Sequence, residues 1–122
     1  MESTIYARLK DFAALNAVVG SRIYPTTPTE DTTAPFVVYT ITGSEPQVHT
    51  QGVSNLSRYT LDIDAWAIDL EDTLSALDAT RQALHGYRGG TIQGSFLTSQ
   101  QTQPEEDGFH GTQSFNVWAL AG

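Results

Sequence analysis

The 122-residue chain is long enough for one domain and short for two. Six Lys and Arg stand against 14 Asp and Glu, a formal charge of −8 with histidine neutral. That balance argues against a nucleic-acid binder built on phosphate contacts and against adhesion to an anionic membrane, and the absence of cysteine excludes disulfides, zinc–thiolate sites and a cysteine nucleophile.

Taken in order, the chain opens with Ser3 or Thr4 as a helix cap, then Ile5, Leu9, Phe12 and Leu15 on one apolar stripe. Gly20 is placed to end this helix. A short extended piece, Ser21 to Tyr24, stops at Pro25, and the Thr- and Pro-rich stretch to Pro35 reads as a surface loop. Phe36 to Thr42 is β-branched and aromatic and predicts a strand. Gly43 to Asn55 is polar, with Gly43, Pro46 and Gly52, and is expected to be a long loop.

Leu56 to Ala67 is the clearest strand. Tyr59, Leu61, Ile63 and Ala65 share a buried face, while Arg58, Thr60, Asp62, Asp64 and Trp66 share a wet one. Asp69 is the expected N-cap of a second helix, with Glu71 and Asp72 complementing its positive end. Leu70, Leu74, Leu77, Ala83 and Leu84 form its expected core stripe, and Gly86 its stop. Thr91 to Thr102 predicts a strand bulged at Gly94, Gln103 to Gly108 an acidic turn, and Gly111 to Leu120 a last strand. The expected order is α-β-β-β-α-β-β in one domain, 1–122. The expected class is α+β, a mostly antiparallel sheet with two helices packed on one face. No apolar run reaches the ~20 residues of a membrane span. No leader peptide is recognisable at Met1-Glu2-Ser3-Thr4, and a cytosolic chain is expected.

Motifs for chemistry are sparse. His49, His85 and His110 have no metal-ligand spacing, and there is no phosphate-binding glycine loop or nucleophile elbow. Asp62 and Asp64 lie about 7 Å apart on one strand face, close enough to share a hard cation with Asp69 or Glu71. The plainer reading is a solvated face, or charges aimed at a partner or a pore. Glu105-Glu106-Asp107-Gly108 lacks the spaced acids of a calcium loop. Trp66 and Trp118 fall on the wet faces of their strands, where a subunit interface would explain them.

Several segments together carry a resemblance: Val19-Gly20-Ser21-Arg22-Ile23-Tyr24-Pro25, then Pro35-Phe36-Val37-Val38-Tyr39, then Asp62-Ile63-Asp64-Ala65-Trp66-Ala67 running into a helix with an acidic start. With the closing Ser114-Phe115-Asn116-Val117-Trp118, the chain resembles the small tail completion proteins (tail terminators, head–tail joining proteins) of long-tailed bacteriophages and prophages. The resemblance spans nearly the whole chain and rests on the order and spacing of these segments. It implies a virion protein without catalysis or cofactor, assembled in the host cytoplasm into a hexameric ring at the head-proximal end of the tail. Such a ring stops tube growth and joins tail to head. The implied partners are further copies of the chain, the tail tube protein and the head–tail connector, with DNA passing through the lumen without specific binding.

Within that picture, Trp66, Trp118, His49, Gln51, Phe109 and His110 are candidates for subunit or tail contacts. Asp62, Asp64, Glu105, Glu106 and Asp107 are candidates for an acidic lumen lining that repels phosphate. The alternative is a small monomeric or dimeric binding module with a groove between helices and sheet. A hydrolase using Asp62, Asp64 and a histidine would instead lose an activity on Asp64→Ala without losing assembly.

Overall fold

A computed structural model of the chain describes residues 2–20, 22–26, 34–49, 52–106 and 108–120. The expected first helix is two helices. α1 spans Glu2–Asp11 and α2 spans Ala13–Val19, separated by Phe12 in an extended conformation (φ −83°, ψ 110°). Ile5, Leu9 and Leu15 of the expected stripe are fully buried, whereas Phe12, at the break, is only partly buried and Val19 takes a core place in addition. Hydrogen bonding around the break is restored locally. The Phe12 amide donates to Leu9 O at 3.3 Å, and the Asn16 side-chain amide donates to the Lys10 and Phe12 carbonyls. Arg8 then ties α1 to the far end of the last helix. Its Nε donates to Ala83 O at 2.7 Å, and its guanidinium lies 4.7 Å from the Tyr87 ring centroid.

β1 (Ile23–Pro25) pairs in parallel with β2 (Phe36–His49), and β2 pairs antiparallel with β3 (Gly52–Ala67). The expected Gly43–Asn55 loop is therefore a correction: it is a long hairpin, in register to His49↔Gly52. Gly43 and Pro46 read as loop residues. They fall at the two register shifts of the ladder, between Ile41 and Gly43 and between Pro46 and Val48, where a bulge absorbs a missing donor.

α3 (Leu70–Leu84) follows β3 and leads to β4 (Ile92–Glu105) and β5 (Gly108–Leu120). The sheet order is β1-β2-β3-β5-β4. The element order is thus α-α-β-β-β-α-β-β, with three helices rather than two. The class stands as expected: an α+β fold with a mostly antiparallel sheet. The expected bulge at Gly94 is present as a register shift between Ile92 and Gly94. Helix and sheet residues meet in one core of Ile5, Leu9, Leu15, Leu61, Ile63, Leu77, Leu84, Phe115 and Val117 and their neighbours.

The phase of α3 departs from the expected stripe. Leu77, Ala83 and Leu84 are buried, but Leu70 and Leu74 are 44% and 45% exposed. Thr73, Ala76, Ala79 and Thr80 face inward in their place. Buried threonines are tolerated because their hydroxyls bond back along the helix, Thr73 to Asp69 O at 3.2 Å and Thr80 to Leu77 O at 2.9 Å. Small residues face the sheet because the helix lies close to it at Gly111. A β-carbon there would stand 2.5 Å from Leu77 Cδ1 and 3.1 Å from Thr73 Cγ2. Asp69 is the N-cap, as expected, but its side chain makes no cap bond.

One polar side chain crosses this interface fully buried. Gln113 of β5 donates to Leu77 O at 2.7 Å and to Gln100 Oε1 at 2.8 Å, and its own Oε1 faces the Thr80 hydroxyl. Ser95 is the contrast: it is fully buried and its hydroxyl has no partner among the described residues. Ser95→Ala removes an unsatisfied group, so stability in chemical denaturation is expected to hold or rise by up to about 1 kcal/mol. A loss larger than that would mean that the hydroxyl is bonded.

Candidate functional site

All three helices lie on one side of the sheet, and the opposite side carries the residues singled out from the sequence. Its side chains follow from strand alternation, with β3 presenting Arg58, Thr60, Asp62, Asp64 and Trp66, and β5 presenting His110, Thr112, Ser114, Asn116 and Trp118. Register sets them in rows. Phe36, Trp66 and His110 form one row, Val38, Asp64 and Thr112 the next, and Thr40, Asp62 and Ser114 the third.

The first row is a stack. Trp66 lies 5.0 Å from Phe36 and 4.2 Å from His110 between ring centroids, nearly parallel to both. His110, which precedes the expected Gly111–Leu120 strand, sits inside β5. Its Nε2 lies 2.8 Å from Asp64 Oδ1 and its Nδ1 lies 3.5 Å from Glu105 Oε1. The carboxylate of Asp64, at the shorter distance, accepts a hydrogen bond from Nε2. Thr112 also donates to Asp64 at 3.2 Å, and Ser114 donates to Asp62 at 2.8 Å. The two aspartates therefore have separate partners. Among the described residues, no group of three or more His, Cys, Asp or Glu is placed to share a metal ion.

Trp118 lies further along the same face and packs edge-on to Phe96, which in turn meets His85 edge-on. His85 caps α3 and accepts a hydrogen bond from the Leu97 amide at 3.1 Å, pinning the helix end to the edge strand β4. His49 is the last residue of β2, at the tip of the hairpin and at the opposite end of the strand from Phe36. Gln51 and Asp107 lie outside the described residues. Glu105 and Glu106 sit at the β4–β5 turn, as expected, and both are exposed.

The structure thus gathers Trp66, Phe109, His110, Glu105 and Glu106 at one end of the sheet, sets Trp118 against Phe96 further along, and sends His49 away from both. An open cleft of about 640 Å³ lies at the gathered end, lined by Phe36, Trp66, Ala67, Glu105, Phe109 and His110, among others. Gly108 allows the turn to approach β3. Its φ is 154°, and a β-carbon would collide with the Ala67 carbonyl. The space between the helices and the sheet, where the alternative reading put a groove, is filled by Leu9, Leu15, Leu61, Ile63, Leu77 and Phe115. Among the described residues no helix is long and apolar enough to cross a membrane.

Sequence reasoning missed Phe36 and Phe96 as members of the aromatic clusters, and it placed Leu70 and Leu74 in the core. The spacing of Thr73, Ala76, Thr80 and Ala83 was the available signal for the true inward face, since small side chains suit a helix lying close on a sheet.

Comparison with known proteins adds two findings. The sequence matches the family described as tail completion protein gp17 over residues 3–120. The fold matches a chain in the structure "Virion of native gene transfer agent (GTA) particle", with a TM-score of 0.76 and 17% identity, covering 96% of this chain and 92% of that one. No curated protein matches the sequence.

Proposed function

We propose that this chain, which belongs to the tail completion protein gp17 family, closes into a homo-oligomeric, hexameric ring at the head-proximal end of a phage tail tube. There it ends tube growth and joins the tail to the head connector. Membership in the family makes the chain a structural tail protein of the virion and not an enzyme.

The observation that supports the ring is the hairpin arm. β5 ends its pairing with β3 at Leu56↔Leu120, so Val48 and His49 with Gly52 and Val53 extend beyond it and, among the described residues, pair only with each other. A two-stranded ribbon is marginal in water and gains stability from a surface to lie on. A neighbouring subunit or the tube supplies that surface, with His49 and Gln51 at the contact. The rows of Asp62 and Asp64 face the lumen and repel the phosphates of passing DNA, and Glu105 and Glu106 stand at the end of those rows. Trp118 serves subunit contacts, and Trp66, Phe109 and His110 serve contacts with the tail.

Light scattering over a concentration series, with and without tail tubes, tests the reading. The expected result is the mass of a hexamer, or a monomer that micrographs show bound only at tube ends. A stable monomer or dimer that ignores tubes would overturn it.

A further inference from the structure

The gathered end of the sheet has a chemistry of its own. The faces of Trp66 are covered by Phe36 and His110, so the cleft offers aromatic edges, the half-buried Phe109 side chain, and the exposed carboxylates of Glu105 and Glu106. No Lys or Arg is among the residues that line it. The apolar surface continues beyond the cleft. Ile68, beside Gly108, is 67% exposed, and Leu70 and Leu74 follow on the first turns of α3. Asp69, Glu71 and Asp72, all exposed, stand among them. Apolar ground with carboxylates around it suits side chains that have a long apolar stem and a cationic head.

We propose that this cleft binds a basic polypeptide segment of another virion protein, one in which Arg or Lys alternates with apolar residues. The source of the partner rests on the reading of the chain as a tail protein; the chemistry of the site does not. A second copy of the chain is a poor occupant. It carries six Lys and Arg against 14 acids, and Arg8, Arg22 and Arg81 are already bound to Ala83 O, Pro35 O and Asp78 within the chain. Stems lie along Phe109 and Ile68, while the heads meet Glu105 and Glu106. His110 takes part by holding the edge of the stack against Asp64.

The test uses a synthetic peptide of alternating Arg and Leu. It is titrated against the full chain carrying Trp118→Phe, so that Trp66 alone reports by fluorescence. Calorimetry on the unaltered chain guards against a folding defect of that variant. The expected result is a saturable change in Trp66 emission. Glu105→Gln with Glu106→Gln weakens binding about three- to tenfold, as two exposed charge pairs allow. Asp11→Asn with Asp78→Asn, an equal change of charge on exposed residues elsewhere, leaves binding unchanged. A peptide with citrulline for Arg binds less. The proposal is overturned by a titration that does not saturate, by equal weakening in both double variants, or by equal binding of the citrulline peptide or of spermidine. Ring mass is read separately by light scattering. A ring that does not bind the peptide leaves the tail-end reading standing, and a monomer that binds it leaves the cleft standing.

Discussion

Phe115→Ala is expected to destabilise the protein by about 3–5 kcal/mol. Phe115 is fully buried and heads the largest buried side chains. It lies on β5, opposite Leu61 of β3 and Leu97 of β4, so three strands and the helix layer share it. Removing the ring loses its transfer free energy and leaves a void that the close-packed layer of helix and sheet has little freedom to collapse. A domain of this size has a total stability of about 5–15 kcal/mol, so the loss is a large fraction of the whole. Chemical denaturation should show a lower midpoint with an unchanged slope. A loss under about 1 kcal/mol would place Phe115 outside the core.

The second large effect is at the contact of α3 with β5. Leu77 is fully buried, and Leu77→Ala is expected to cost about 2–5 kcal/mol. Gly111→Val fails from the opposite direction, because the added side chain occupies the space of Leu77 Cδ1 and Thr73 Cγ2. Overpacking of this kind costs about 1–3 kcal/mol. The two changes should not add. With Leu77 shortened, valine at 111 has room, and the double variant should be more stable than the sum of the single losses predicts. A coupling of about 0.5–3 kcal/mol in that sense is expected from contacting residues. Strict additivity would mean that the helix does not rest on Gly111.

Charge on the exposed side of α3 has a smaller part. The Arg81 hydrogen bond at 2.8 Å and the Gln82 amide hold the Asp78 carboxyl below its ordinary range. A depressed carboxyl stabilises the fold above its unfolded-state value and loses that contribution as pH falls through the folded one. Asp78 is fully exposed, so solvent screens the pair.

How far the fold was legible depends on the kind of signal each element carries. β3 and β5 alternate strictly, and both of their faces were read correctly: Leu61, Ile63, Ala65, Phe115, Val117 and Ala119 inward, Asp62, Asp64, Trp66 and Trp118 outward. The hairpin arm was not legible, because a ladder of backbone hydrogen bonds needs no apolar pattern and Gly43 and Pro46 look alike in a loop and in a bulge. The break at Phe12 was hidden for a related reason. Ile5, Leu9 and Leu15 keep one stripe whether the helix is continuous or bent, and only Phe12 leaves it. Within the candidate site, Trp66 and His110 were singled out by residue type, but Phe36 was not, since the stack exists only through the pairing of three strands.

The amino-acid sequence by itself determined the class of the fold, the wet and dry faces of its central strands, the acidic balance and the family resemblance. These rest on local periodicity, composition and the order of short segments. Only the tertiary structure decided that Thr73 and Thr80 face the sheet while Leu70 and Leu74 face water. It also decided that Phe36, Trp66, His110 and Glu105 meet at one end. Helix phase was set by how closely α3 could approach at Gly111, and the aromatic stack by strand register. Both depend on contacts between residues far apart in the chain, which local periodicity does not report.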